Sequence, residues 1–362
     1  MRREELNSCF LGISAPLHLC GMALRELLRR SESFVSLRSF AAKAVLLALV
    51  AAFPDAASAQ TNTKPTVIVV SGAPGEDEFS KVFVEAAANW RRTAETAGVH
   101  FVEIGVTNQP ATNDLGLLTG AITAAPTNAE LWLVLIGHGT FDGRDAKFNL
   151  RGPDLSAAAL SNLLAGTQRP VAIIHAGSSS APFIKSLSGR NRVVVTATRS
   201  GSEENYARFN RFVSEAIADP TADLDKDGQT SLLEAFLMAS RRVEEFYKAE
   251  GRLATEHALI DDNGDGFGTQ ADWFRGIHAV KKAAGKAALD GMRAHQWHLV
   301  RSTQDLKLTP EQRRQRDALE LEIGRLREQK ASMSEDAYYN QLEALLTKFA
   351  VIELGTNASP AK

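Results

Sequence analysis

Cysteine all but disappears after the N-terminus. Only two of the 362 residues are cysteine, Cys9 and Cys20, and none follows. That excludes a thiolate nucleophile, a disulfide and a Cys-ligated metal from any domain further along the chain. An excess of charge of one sign is lacking too. Lys plus Arg number 41 against 43 Asp plus Glu, a formal charge of -2, which gives no case for a nucleic-acid partner. Long apolar runs are also absent. The segment AVLLALVAAF at 44–53 falls well short of the ~20 residues that span a bilayer. The segment GAPGEDE at 72–78 has glycines ahead of a helix, but neither GxGxxG spacing nor a GK[ST] ending. Its three acidic residues would repel an anion, so it reads as a plain turn. No GxSxG elbow occurs either.

With 44% hydrophobic and 23% charged residues, the chain has ordinary globular composition and can bury one large core or two smaller ones. The apolar run at 44–53 follows Arg38 and Lys43 and precedes Ala57-Ser58-Ala59. This fits a secretory signal peptide cut after Ala59. Its n-region exceeds the usual length, so the start is expected further downstream, with Met22 a candidate. Residues 1–59 are therefore expected to be removed, giving an exported protein, periplasmic or secreted, with no membrane segment after cleavage.

From residue 60 on, β-branched runs alternate with amphipathic stretches. TVIVVS at 66–71, 99–106, LWLVLI at 131–136, PVAIIH at 170–175 and RVVVTAT at 192–198 read as strands. Between them, Asp77–Ala97, 113–124 and 154–164 read as helices. Acidic residues open the first helix, where they complement its dipole. Such alternation calls for a parallel sheet with helices on both faces. Ligands then gather beyond the carboxyl ends of the strands, so His138, after LWLVLI, and Ser178, after PVAIIH, are expected to face one crevice. FDGRDAKFNLRGPDL at 141–155 reads as a small hairpin at its rim.

The His138-Gly139 pair after one buried strand, and Ala176-Gly177-Ser178-Ser179-Ser180-Ala181 after the next, resemble the caspase, legumain and gingipain group of cysteine peptidases. The resemblance extends over roughly residues 66–273 and implies an exported bacterial protein of caspase-like α/β fold. It also implies that His138 and Ser178 stand at the positions of the catalytic His and Cys, with Gly139 beside them. TATRSGSEEN at 196–205 resembles the segment lining the substrate pocket in legumain-like enzymes, which makes Arg199 a substrate-binding candidate. Ser178 replaces the nucleophilic Cys, and Ala181 replaces the Gly of the Cys-x-Ser-Gly pattern.

That replacement matters chemically. A thiol ionises near neutral pH once an imidazole is close, whereas a hydroxyl must lose its proton during attack to a base that a third group orients. No orienting carboxylate for His138 is evident. Asp142 is near in sequence only, and His175 is an alternative base that a strand end more often keeps as a structural His.

A second signal begins at residue 223. DLDKDGQTSLLE matches a twelve-residue calcium loop, with Asp223, Asp225 and Asp227 as oxygen donors, Gly228 at the sharp turn, Gln229 at the seventh place, Ser231 at the ninth and Glu234 as bidentate closer. The segments 203–218 and 232–250 would give it an EF-hand-like helical frame. A weaker copy at 261–272 offers Asp261, Asn263 and Asp265, with Asp272 in the closing place. Calcium is the expected cofactor, and the loops are expected to brace the region after the last core strand.

The Ala-, Lys- and Gly-rich stretch opening 279–304 reads as a linker bounding the 60–278 domain. His295 and His298 flank Trp297 there, without a third ligand in sequence to make a metal site. Thr309-Pro310-Glu311-Gln312 opens a helix, and Ser332 with Glu335 opens another, so 305–355 reads as a helical hairpin or coiled coil whose seam could meet itself, the main domain or a second copy.

The favoured reading is a catalytically silent peptidase-fold protein, calcium-braced, holding a peptide or protein segment in its crevice or serving a structural role. One alternative is an active peptidase or esterase with Ser178 as nucleophile, His138 as base and backbone amides near Gly139 and Ser178 as oxyanion donors. Another is a calcium-responsive assembly protein working through its C-terminal helices as a homo-oligomer.

Overall fold

The computed structural model describes residues 64–106, 113–285 and 287–354. The expected signal peptide at 1–59 lies outside the described residues.

The β-branched runs form the strands of one central sheet. They are β1 (Thr66–Ser71), β2 (His100–Ile104), β3 (Leu131–Ile136), β7 (Val171–His175) and β8 (Arg192–Thr196). A small antiparallel sheet of β4 (Gly139–Phe141), β5 (Ala146–Phe148) and β6 (Leu155–Ser156) is the expected rim hairpin with one more strand. The central order is β10-β9-β8-β7-β3-β1-β2, where β9 is Leu259–Asp261 and β10 is Thr269–Gln270. From β2 to β8 every pairing is parallel, while β9 runs antiparallel to β8 and β10 antiparallel to β9. The sheet is therefore mostly parallel rather than wholly so, with the antiparallel edge common in large α/β sheets. This edge also corrects the placing of the second acidic loop. Asp261 ends a core strand, so that loop grows out of the sheet itself instead of following it.

Alternation across the pleat divides the core in two. Val67, Val69, Trp132, Val134, Ala172, Ile174, Val193 and Val195 face α1 (Asp77–Ala97), α5 (Phe209–Ala216) and α6 (Leu232–Ala249). Ile68, Val70, Leu133, Leu135, Ile173 and Val194 face α2 (Asp114–Ala124), α3 (Ala157–Leu163) and α4 (Pro182–Leu187). Helices thus cover both faces, as strands with continuous apolar runs require. None of the described helices is long and apolar enough to cross a membrane.

Helix α5 is shorter than the expected 203–218. Glu256 takes the backbone N–H groups of Arg208 and Phe209 at 2.9 Å each, and this carboxylate fixes where the helix begins. The stretch 279–304, expected as a linker, is packed against the body instead, with Asp290, Ala294, Trp297, His298 and Leu299 buried. Its composition is that of a boundary, but Trp297 stacks edge-on against Trp132 of β3, with ring centroids 5.1 Å apart. Beyond it, α7 (Pro310–Gln329) and α8 (Glu335–Leu354) share a cluster of Ile323, Leu326, Tyr338 and Leu342.

Candidate functional site

β3 and β7 are paired neighbours, with Leu135 opposite His175, so the segments that follow them leave the sheet side by side. Their approach is close because glycine permits it. A Cβ on Gly139 would stand 2.3 Å from the Ser178 carbonyl oxygen, and one on Gly177 would stand 2.6 Å from that of Gly137. The left-handed Ser179 (φ 51°) then turns the chain, at a cost on the order of 1 kcal/mol. That turn brings the Ser180 hydroxyl to the N–H groups of Ala197 (3.0 Å) and Thr198 (3.2 Å).

Ser178 is buried at 1% exposure. Its Oγ accepts the Gly139 N–H at 3.0 Å and donates to the Gly139 carbonyl at 3.3 Å. Both hydroxyl functions therefore go to backbone, and the Gly139 amide expected to serve an oxyanion is already engaged. His138 is placed differently. Its ring lies edge-on to Phe79 at 4.7 Å and near Phe83 (5.4 Å) and Tyr206 (6.0 Å). Burial lowers its pKa, partly offset by a hydrogen bond to the Pro74 carbonyl and the charge of Glu76. Among the described residues no hydrogen bond joins His138 to Ser178. The strand tips are together, but the imidazole and the hydroxyl are not coupled.

The other base candidates are accounted for. Asp142 accepts the N–H groups of Arg144 (2.9 Å) and Asp145 (2.7 Å), capping its own turn rather than orienting His138. His175 is wholly buried between Phe148 and Phe183, its Nδ1 accepting the Gly177 N–H at 3.3 Å. Burial pushes its pKa down to about 3, so it stays neutral. Arg199 is half exposed and pairs with Glu203 at 3.3 Å. Glu203 also binds His257 Nδ1 at 2.6 Å, which ties the Arg199 segment to the chain before β9.

The first acidic loop closes on itself. Asp223 accepts the N–H groups of Lys226 (2.6 Å) and Gly228 (3.1 Å), and Gly228 takes the left-handed conformation (φ 87°) of its expected sharp turn. One oxygen from each of Asp223, Asp225 and Asp227 falls within a 4.8 Å cluster. Glu234 accepts the Leu224 N–H (2.7 Å) and forms a capping box with Ser231, while the Gln229 side chain accepts the Ser302 N–H (3.0 Å). These residues could hold a cation. Burial raises the Asp227 pKa to about 6, with the charges of Asp225 and Glu234 adding to the shift.

Two imidazoles that sequence reasoning left unpartnered arrive at this loop. His295 Nε2 lies 3.0 Å from Asp225 Oδ2, and His298 Nε2 lies 4.0 Å from Asp227 Oδ2. Burial would lower the His295 pKa, but the bond to Asp225 outweighs it and raises the value to about 8. His298 goes the other way, pushed to about 3 by burial and by the neighbouring His295 and Arg301. The signal in sequence was the pair itself; its partners lie some seventy residues upstream.

In the second loop, Asp261 accepts Gly264 (2.9 Å) and Gly266 (3.0 Å), Asn263 accepts Asp265 (2.8 Å), and Asp265 accepts Phe267 (2.8 Å), all through N–H groups. Asp272 is exposed on a short helical turn. The carboxylate tied to the loop comes from Asp290, which accepts the N–H groups of Asp262 (3.0 Å) and Asn263 (3.2 Å) and the Thr269 hydroxyl (2.6 Å). Burial and the charge of Asp262 raise its pKa. Asp272 stands in the new turn that begins after β10.

Fold and site together define an α/β protein with a mostly parallel sheet, a His and a Ser at adjacent strand tips, and two acidic loops. No protein-family model matches the chain, and no curated protein matches it in sequence. Among solved structures it is similar to the Drosophila initiator caspase Dronc, at 14% identity and TM-score 0.38 over 55% of this chain and 79% of that one. It is also similar to caspase-1 from Spodoptera frugiperda, at 10% identity and TM-score 0.36 over 55% of this chain and 86% of that one. Likenesses this distant do not assign a family, and the functional reading rests on the residues themselves.

Proposed function

We propose that this is an exported, caspase-like peptidase-fold protein whose strand-tip site is catalytically silent, acting as a calcium-braced module that holds a peptide or protein segment or serves a structural role. The observation that carries the reading is the double hydrogen bond between Ser178 Oγ and the backbone of Gly139. A serine nucleophile needs its proton drawn towards a base and an amide left open for the oxyanion. Here the proton points to a carbonyl, and the amide is occupied by the hydroxyl itself. The caspase-like part rests on the His138-Gly139 pair and the Ser178 segment after neighbouring parallel strands. Export rests on the apolar run at 44–53 and Ala57-Ser58-Ala59. Calcium rests on the acidic spacing of the loops at 223–234 and 261–272.

The assembly reading, in which the C-terminal helices pair with a second copy, is less well supported. Their apolar positions Ile323, Leu326, Tyr338 and Leu342 face each other, and Glu320 of α7 accepts the Gln296 side-chain amide at 2.9 Å from the stretch packed on the body. The silent reading is tested by hydrolysis of activated esters and a peptide library. Wild type, Ser178→Ala and His138→Ala should give the same background rate. A rate in wild type that both substitutions abolish would overturn it.

A further inference from the structure

The first acidic loop has an ingredient that a calcium site does not use. Calcium is a hard ion that takes oxygen ligands, six to eight of them, whereas imidazole belongs to zinc and its neighbours in the transition series. The segment 294–298 crosses the open side of the loop, held there by the Leu232 N–H donating to the Trp297 carbonyl at 2.8 Å and by a bridge between Ser231 and His298. It delivers both imidazoles against loop carboxylates, with ring centroids 6.2 Å apart.

His298 is the telling group. It is 5% exposed, neither ring nitrogen has a hydrogen-bond partner, and Nε2 is aimed at the Asp227 carboxylate from 4.0 Å, beyond hydrogen-bond reach. A buried polar atom left without a partner is costly, so an arrangement of this kind calls for something between the two groups. A metal ion fits the gap. Ligand atoms bound tetrahedrally at about 2.0–2.1 Å stand about 3.3–3.4 Å from one another. The Asp225 to His295 separation of 3.0 Å is close to that value. One oxygen of Asp225, one of Glu234 and one nitrogen of His295 already share a 4.8 Å cluster. His295 and Asp225 keep 22% and 28% of their side-chain surface open to solvent, which leaves the ion a way in.

We propose that the first loop is a mixed carboxylate and imidazole site for a divalent transition-metal ion of the zinc class, with Asp225, Glu234 and His295 as its ligands and the unpartnered His298, 4.0 Å from Asp227, beside them. This rests on the reading of 223–234 as a metal loop and changes the class of ion it takes. The second loop offers oxygen alone, from Asp261, Asn263, Asp265, Thr269 and Asp290, and serves as an internal control.

The test is calorimetric titration of the metal-stripped full chain with zinc and, separately, with calcium, together with the visible spectrum of the cobalt(II) complex. Zinc should bind at one site with micromolar or tighter affinity. His295→Gln and His298→Gln should each weaken it roughly tenfold or more and diminish the cobalt bands, with the calcium response unchanged. Because His298 is buried, the solvent-side His295→Gln decides the matter if the other variant does not fold. Zinc binding that is indifferent to the histidines, or calcium binding with no zinc site, would overturn this inference while leaving the calcium reading in place. Binding of neither ion would overturn both.

Discussion

The two places where polar groups converge in this molecule are built in opposite ways. At the strand tips, the hydroxyls of Ser178 and Ser180 are satisfied by backbone, Ser178 by Gly139 and Ser180 by Ala197 and Thr198, while Ser179 Oγ and His175 Nε2 are buried without a hydrogen-bond partner. At the first acidic loop, carboxylates crowd within 4.8 Å, and the buried imidazole of His298 has no hydrogen-bond partner, Asp227 standing 4.0 Å away. A site whose polar groups are mutually satisfied is stable empty and indifferent to a ligand. One that gathers like charge and unpaired nitrogen is stabilised by whatever fills it. On the proposed reading, the strand tips are the inert part and the acidic loops the responsive one.

The sharpest way to break the comparison is at Gly139. A methyl group there would meet two backbone carbonyls, those of Ser178 at 2.3 Å and Lys147 at 3.1 Å, neither of which can rotate away. Gly139→Ala should lower stability by about 3 kcal/mol or more, read as a shift of the urea midpoint. A neutral effect would mean that the tips are not rigid.

The second loop should answer to calcium instead. For a site binding at ~0.1–1 mM, 10 mM calcium should add about 1.4–2.7 kcal/mol, visible as a rise in melting temperature over chelator-treated protein. Asp261→Ala should blunt that rise, and Asp272→Ala should not, since Asp272 stands apart from the loop. An equal loss in both variants would restore Asp272 as a ligand.

A pH scan separates the regions again. Burial holds His175 neutral down to about pH 3 from an ordinary value of 6.5, so below 6.5 the unfolded chain binds a proton that the folded one refuses. Its contribution is intact above that value and is lost as pH falls, amounting to about 2 kcal/mol between pH 6.5 and 5. His175→Gln should flatten the acid limb by that amount, and an unchanged limb would remove the claim. The smallest effect is expected at Arg199, half exposed and paired only with Glu203 at 3.3 Å. Arg199→Ala should change stability by less than about 0.5 kcal/mol in the same denaturation assay.

Much of the scaffold was legible because its signals are local. TVIVVS and LWLVLI are buried through their whole length as continuous apolar strands, and the Asp77–Ala97 helix has the expected bounds. What escaped depends on distance. Asp261 read as the start of an acidic loop, and only the pairing of LID at 259–261 with β8 makes it the end of a strand. Asp290 lay in a stretch whose composition suggested a linker, while its partners Asp262 and Asn263 sit nearly thirty residues earlier. His295 and His298 had no third ligand within reach along the chain, and folding supplies one from Asp225. Spacing placed Ser178 beside the His138-Gly139 pair, but could not say that the hydroxyl would turn to Gly139 and the imidazole to Pro74.

The central claim, that the Ser178 hydroxyl is held by backbone and not activated, is tested most directly by exposing the purified protein to a fluorophosphonate probe and measuring its intact mass. The account predicts unmodified protein after long incubation. A single adduct that maps to Ser178 and vanishes in Ser178→Ala would contradict it.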